Sequence, residues 1–263
     1  MGHVRTGGPA RRRVASTVAT VAAVQALTPR MTRVRLVDDS LHGLGAVPGQ
    51  TIKIYVPDLV AGDPVSRDYT VRDFRDTCDL PADRDGTADR DLLADRDAGP
   101  SLDIDFVLHG TGPAATWARR VQPGEALEFV GPSGRYRPDP TADWHVFAGD
   151  ETALPAIQAY AAMLPADARL WLYLEVPDAT EQQPIPGPAR PTVRWLHRGE
   201  CPAGTSRVLE EAVRAAELPS GRGRLWIAGH TPTVRRIRAY LLDECGLDRR
   251  ALYVKGFWDR VAH

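Results

Sequence analysis

Short runs of alternating apolar and polar residues dominate the first half of the chain. "RVRLV", "TIKIYVP", "DYTVRDF" and "DIDFVLH" are rich in β-branched or aromatic residues, several with a period of two. That is the spacing of a strand with one buried face. Ile52, Ile54 and Val56 are expected to share one face, and Ile104, Phe106 and Leu108 another. "VPGQ" and "QPGEALEFVGPSG" supply turns with Pro and Gly. Short strands and turns at this density predict a small antiparallel β-barrel.

The second half changes rhythm. "WHVFAGD", "RLWLYLEV", "TVRWLHR", "GRLWIAGH" and "ALYVKGFW" read as strands, with "ALPAIQAYAAML", "RVLEEAVRAAEL" and "TPTVRRIRAYLLDEC" as helices between them. Strands alternating with helices predict an α/β domain with a parallel sheet. Thr231 is expected to cap the last helix, with Pro232 in its first turn. Trp144, Trp171, Trp195 and Trp226 fall on or beside these strands and are expected in the core. Pro and polar residues cluster at "YRPDPTAD", which sets a boundary near residues 136–143. The expected organisation is a basic tail over residues 1–13, a barrel domain over 14–138 and an α/β domain over 139–263. Residues 75–100 carry the near-repeat "ADRDGTADRDLLADRD". Its few apolar side chains cannot offset the entropy of ordering it, so it is expected to be a mobile insertion in a hairpin.

The 263 residues are comfortable for two domains, and a formal net charge of −1 gives no global field for nucleic acid or an acidic membrane. With 43% apolar and 25% charged residues the composition is that of an ordinary globular protein. Cys78, Cys201 and Cys245 are far apart, without CxxC spacing. This argues against a metal cluster or a disulfide framework and for a reducing cytoplasm. No run approaches the roughly 20 apolar residues that cross a bilayer. The basic N-terminus runs into "TPRMTRVRLV" without a cleavage-site pattern, so a tail preceding a first strand is expected rather than a signal peptide.

Three stretches carry candidate chemistry. In "SRDYTVRDF", Arg67 and Tyr69 are expected to point one way and Asp68 and Thr70 the other. A flavin needs an aromatic wall, a hydrogen-bonding group near its redox-active nitrogen and a cation for its phosphates; Tyr69, Thr70 and Arg67 supply those types. A polar edge strand fits the same tetrapeptide. "DFVLHGTGPAATWARR" reads as a strand, a Gly-containing turn and a helix from about Pro113, whose N-terminus offers backbone N–H groups to a diphosphate. His109, at the strand end, fits either a structural or a ligand role. In "FAGDETALPAIQAY", Asp150, Glu151 and Thr152 occupy a strand-to-helix turn, but the two acids would repel a pyrophosphate and no GxGxxG is present. The turn is marked as functional without its ligand being named.

Together, "RDYTVR", "DIDFVLHGTGPAATWA" and "FAGDETALPAI" resemble the signature stretches of the siderophore-interacting protein family, FAD-containing reductases of ferric siderophores related to ferredoxin–NADP reductases. "LTPRMTRVRL", "EVPD" and "GLDR" fit too, so the likeness spans residues from about 14 to 260. The resemblance implies a flavin barrel followed by an NAD(P)H-type domain. It implies electron flow from NAD(P)H, or from ferredoxin in some members, through FAD to siderophore-bound Fe(III). It places Arg67, Asp68, Tyr69 and Thr70 at the flavin, with Val107, His109, Gly112, Pro113 and Ala114 along the rest of the FAD and Trp117 behind. Asp150, Glu151 and Thr152 would border the nicotinamide or adenine, and Trp258 would complete the cofactor site.

The chain also departs from the family pattern. His230 stands where the family usually has Glu, and "GFWDRVAH" replaces a Gly-Tyr-Trp-Arg-Arg-Gly-like ending, with Asp259 for a cation. Phe257 and Trp258 keep the aromatic pair. Lys255 with Arg235, Arg236 and Arg238 could form a basic patch for an anionic siderophore or a 2′-phosphate, or could be ordinary solvated charge. These departures motivate two rival readings, a flavoprotein of the same fold with another reaction and a non-catalytic flavin or siderophore binder.

Overall fold

The computed structural model describes residues 16–58, 62–76, 99–188 and 191–260. The tail over residues 1–13 and most of the Asp/Arg-rich insertion lie outside them. Seven strands form one antiparallel sheet: β1 (Thr17–Thr28), β2 (Met31–Val37), β3 (Thr51–Val56), β4 (Val65–Thr70), β5 (Asp73–Arg75), β6 (Ser101–Val107) and β7 (Ala126–Ser133). Their order is β4-β3-β7-β1-β2-β6-β5. The two outer strands are consecutive in the chain. Val71 between them exchanges backbone hydrogen bonds with Gly49 and Gln50, and the Arg72 N–H donates to the Asp103 carbonyl on the far side. The sheet therefore curls into a barrel-like unit.

Its interior is the alternation read from the sequence. Ile52, Ile54, Val56, Ile104 and Phe106 are fully buried together with Val34, Leu36 and Phe129. A short helix, α1 (Pro113–Ala118), packs on this core through Ala114, Ala118 and Trp117.

The second sheet is parallel, with strands β8 (Trp144–Asp150), β9 (Leu170–Val176), β10 (Thr192–His197), β11 (Gly223–His230) and β12 (Leu252–Trp258) in the order β10-β9-β8-β11-β12. Helices α2 (Leu154–Ala162), α3 (Val208–Arg214) and α4 (Thr231–Ala239) cover its faces. All seven residues of β8 are buried, as expected for a strand covered on both faces. Trp144 and Trp226 are buried, while Trp171 and Trp195 are half-buried against the core. Thr231 is the first residue of α4 rather than its cap. His230 is the N-cap, and the Thr231 hydroxyl instead donates to the Trp258 carbonyl at 2.9 Å.

One core cluster spans both sheets. Met31 and Val107 of the first pack with Phe147, Leu154, Ile157 and Tyr160 of the second. The Tyr160 hydroxyl donates to the Gly49 carbonyl at 2.7 Å and the Thr28 hydroxyl to Glu181 at 2.5 Å. Apolar packing and these hydrogen bonds join the two sheets.

Candidate functional site

A cleft of about 330 Å³ opens where the edge strand β4, the start of α1 and the end of β12 converge. Arg67, Asp68, Tyr69 and Thr70 form one wall, and Val107, His109, Gly112, Pro113 and Ala114 a second. Thr152 and Pro155, with Lys255, Phe257, Trp258 and Asp259, come from the parallel-sheet domain. All four residues of the Arg67–Thr70 stretch line the cleft, and β4 pairs only with β3, so its other edge is open. Trp117 stands behind the wall, its ring 5.3 Å from Phe106, which in turn packs 4.4 Å from Tyr69.

The polar groups are placed for an anionic, aromatic ligand. Arg67 is exposed, and its one hydrogen bond among the described residues goes to the Ser66 carbonyl at 2.8 Å, leaving its charge without a carboxylate. Burial pushes the Tyr69 phenol well above its usual pKa, against the opposing pull of Arg67. The ring therefore acts as a neutral wall. Gly112 caps α1 without a side chain, and a Cβ there would meet nothing within 4 Å. The N–H groups of the first turn have no intrahelical acceptors. An FAD fits this donor set: an aromatic wall, a free guanidinium and an uncovered helix start bordering one cleft.

Several lining residues were not singled out from the sequence. Asp105 borders the cleft, and its carboxylate takes a bidentate pair from Arg33 at 2.7 and 2.9 Å, with Arg35 and Asp103 repeating the arrangement two residues away. The matched spacing of "RVR" and "DID" is a signal that could have found it. Thr51 borders the cleft and accepts a 3.0 Å hydrogen bond from Lys255 Nζ, a contact between distant segments that no local pattern announces. Burial pushes the Lys255 ammonium below the ordinary lysine value, with Asp68 opposing.

Asp150 and Glu151 are buried next to the cleft rather than on its lining. The Asp150 carboxylate accepts from the Thr152 and His230 N–H groups and from Trp258 Nε1. Glu151 takes a bidentate pair from buried Arg198 at 2.5 and 2.7 Å, and Glu175 lies 4.0 Å from the same guanidinium. Glu175 is pushed up to about 7, by burial first and by Asp150 next. Arg235 and Arg238 are exposed on α4 and do not reach the cleft, and Arg236 is engaged with Glu210 at 2.6 Å. Of the expected basic patch, Lys255 alone lines the cleft. Among the described residues no group of His, Cys, Asp or Glu is arranged to hold a metal ion, and no helix is long and apolar enough to cross a membrane.

A barrel-like antiparallel unit and a parallel-sheet unit sharing this cleft define an FAD-binding oxidoreductase of the ferredoxin-reductase architecture. The fold is shared with the ferredoxin reductase of carbazole 1,9a-dioxygenase (TM-score 0.66 at 17% identity, covering 93% of this chain and 70% of that one). Residues 20–136 match the siderophore-interacting FAD-binding domain and residues 142–261 the siderophore-interacting protein model, and the chain belongs to the siderophore-interacting protein family. It is 31% identical over 258 residues to the ferric vibriobactin reductase ViuB of Vibrio cholerae, covering 89% of this chain and 86% of that one. A siderophore utilization protein from T. fusca is 34% identical with a TM-score of 0.79, covering 95% and 94%.

Proposed function

We propose that this protein is a ferric-siderophore reductase of the cytoplasm, taking electrons from NAD(P)H or a ferredoxin and passing them through FAD to siderophore-bound Fe(III). The bound FAD supplies the conversion between a donor and a one-electron acceptor. This chain binds and orients. Arg67 and the start of α1 would hold the diphosphate, with His109 and Gly112 lining the same cleft. Tyr69 forms one wall for the ring system, and Thr70 offers it a hydroxyl. Phe257 and Trp258 line the cleft from the other domain. Lys255 offers a cation to an anionic ferric chelate, and Asp259, opposite in charge, favours a chelate that does not press on that corner. Reduction to Fe(II) weakens the hold of oxygen donors on the metal, and the iron leaves.

The observation that supports this most is the convergence of three sequence-distant stretches, Arg67–Thr70, His109–Ala114 and Lys255–Asp259, on one cleft. The test is anaerobic mixing of the reduced protein with a ferric siderophore in the presence of a ferrous-iron chelator. Flavin reoxidation in step with ferrous-chelate formation is expected. Rapid NAD(P)H oxidation with no dependence on iron would instead favour the rival flavoprotein reading, to which the Asp259 and His230 departures point.

A further inference from the structure

We propose that Asp150 is a positioning residue, a built-in anion that fills the turn at the carboxyl end of β8 and latches Trp258 onto the wall of the cleft. The effect on the cofactor rests on the reading that FAD occupies that cleft; the latch itself does not. An ionised carboxylate has about four acceptor positions, and here each is taken. Oδ1 accepts from the Thr152 N–H at 2.9 Å and its hydroxyl at 2.5 Å. Oδ2 accepts from the His230 N–H at 2.7 Å and from Trp258 Nε1 at 2.9 Å. The donors come from three places that are far apart in sequence: the turn before α2, the end of β11 and the end of β12. Asp150 is only 7% exposed, so water does not compete for these bonds.

The surroundings are shaped for this carboxylate. Gly229 has φ +134°, and a Cβ there would lie 2.4 Å from Asp150 Oδ2. The space exists only because that residue is glycine. Between β11 and β12 the register shifts by one residue, so that Gly229 faces Gly256 but His230 faces Trp258. Such a bulge re-aims the side chain that follows it, and it delivers the indole N–H to Asp150. The Trp258 ring then lies between His230 at 4.7 Å and His109 at 5.7 Å. His109 belongs to the opposite wall of the cleft. A single carboxylate thus fixes an aromatic bridge from the parallel sheet to the barrel.

In parallel α/β sheets the N–H groups of the first strand-to-helix turn commonly face a ligand phosphate. Here the Thr152 N–H of that turn faces Asp150 instead, joined by the His230 N–H from the end of β11, and the chain carries its own anion there. Removing the carboxylate should leave a four-donor vacancy that a small anion can refill.

The test follows the indole N–H resonance of Trp258 in the whole protein, assigned by its loss in Trp258→Phe, alongside the fluorescence of bound FAD. In Asp150→Ala the resonance is expected to move away from its carboxylate-bonded position, and added formate should return it saturably while leaving the native protein unchanged. Asp150→Asn, which keeps one carbonyl acceptor, should shift it less and serves if the alanine variant does not fold. With FAD bound, Asp150→Ala and Trp258→Phe should each brighten the flavin, and the double variant should brighten it no further than the stronger single one. An unmoved indole resonance in both Asp150 variants overturns the latch. A moved resonance with unchanged flavin fluorescence overturns its role in positioning the cleft. A protein that takes up no FAD overturns the cofactor reading alone, because the indole signal is read without it.

Discussion

Lys255 Nζ donates a 3.0 Å hydrogen bond to Thr51 Oγ1, joining the last strand of the parallel sheet to the third strand of the barrel across the mouth of the cleft. The two residues are 204 positions apart, and each borders the cavity. The ammonium is half-buried, 5.3 Å from the centre of the Phe257 ring, so burial lowers its pKa. It therefore loses its charge earlier than an ordinary lysine as pH rises. For an anionic ferric chelate, kcat/KM is expected to fall on the alkaline side before the ordinary lysine range is reached. Lys255→Ala should raise KM about tenfold, the loss of one charged contact, and should remove that alkaline fall. The visible flavin spectrum should stay unchanged.

Arg67 and Tyr69 bear on cofactor affinity. A charge-assisted bond from Arg67 to a phosphate is worth about 1.5–3 kcal/mol, so Arg67→Ala should weaken FAD binding by roughly one to two orders of magnitude. Tyr69→Ala should do the same through lost packing. Tyr69→Phe, which keeps the ring against Phe106, should retain most of the affinity. Fluorescence titration of the apoprotein with FAD reads these differences.

The seam between the domains is testable by stability. A Cβ on Gly49, which has φ +85°, would lie 2.2 Å from the Tyr160 ring. Gly49→Ala should therefore cost several times more than Tyr160→Phe, which removes one hydrogen bond worth about 1 kcal/mol. Urea denaturation midpoints of the two variants provide the comparison.

Glu175 gives a pH signature. Its folded-state pKa, raised to about 7, lies above its unfolded value, so the folded state favours the protonated acid. That contribution is complete below the unfolded pKa and is lost as pH rises through about 7. Glu175→Gln holds the neutral form at every pH. It should match the native protein near pH 4.5 and exceed it at pH 8, by on the order of 3 kcal/mol at most. Equal denaturation midpoints at pH 8 would contradict this.

Much of the frame is legible in local pattern. The alternation of "TIKIYV" and the largely apolar "WHVFAGD" mark one half-covered and one fully covered strand, and their burial follows. Residues 67–70, 107, 109, 112–114 and 152, with Lys255 and Trp258, line one cleft. Local pattern does not say where a charge points. Asp150 and Glu151 stand in the right turn, yet both carboxylates are consumed by buried partners. Arg235 and Arg238 lie exposed on α4, away from the cleft lining. Thr231 looks like a cap, but the backbone of β12 claims its hydroxyl. For Asp150, Glu151 and Thr231 the difference is a long-range contact that overrides a local preference.

The most direct test of the account is the visible absorption spectrum of the protein purified with added FAD, followed anaerobically through reduction and then mixing with a ferric siderophore. The account predicts a two-banded flavin spectrum that bleaches on reduction and returns as the ferric chelate is consumed. A colourless protein that cannot be reconstituted, or a reduced flavin indifferent to the ferric chelate, would contradict it.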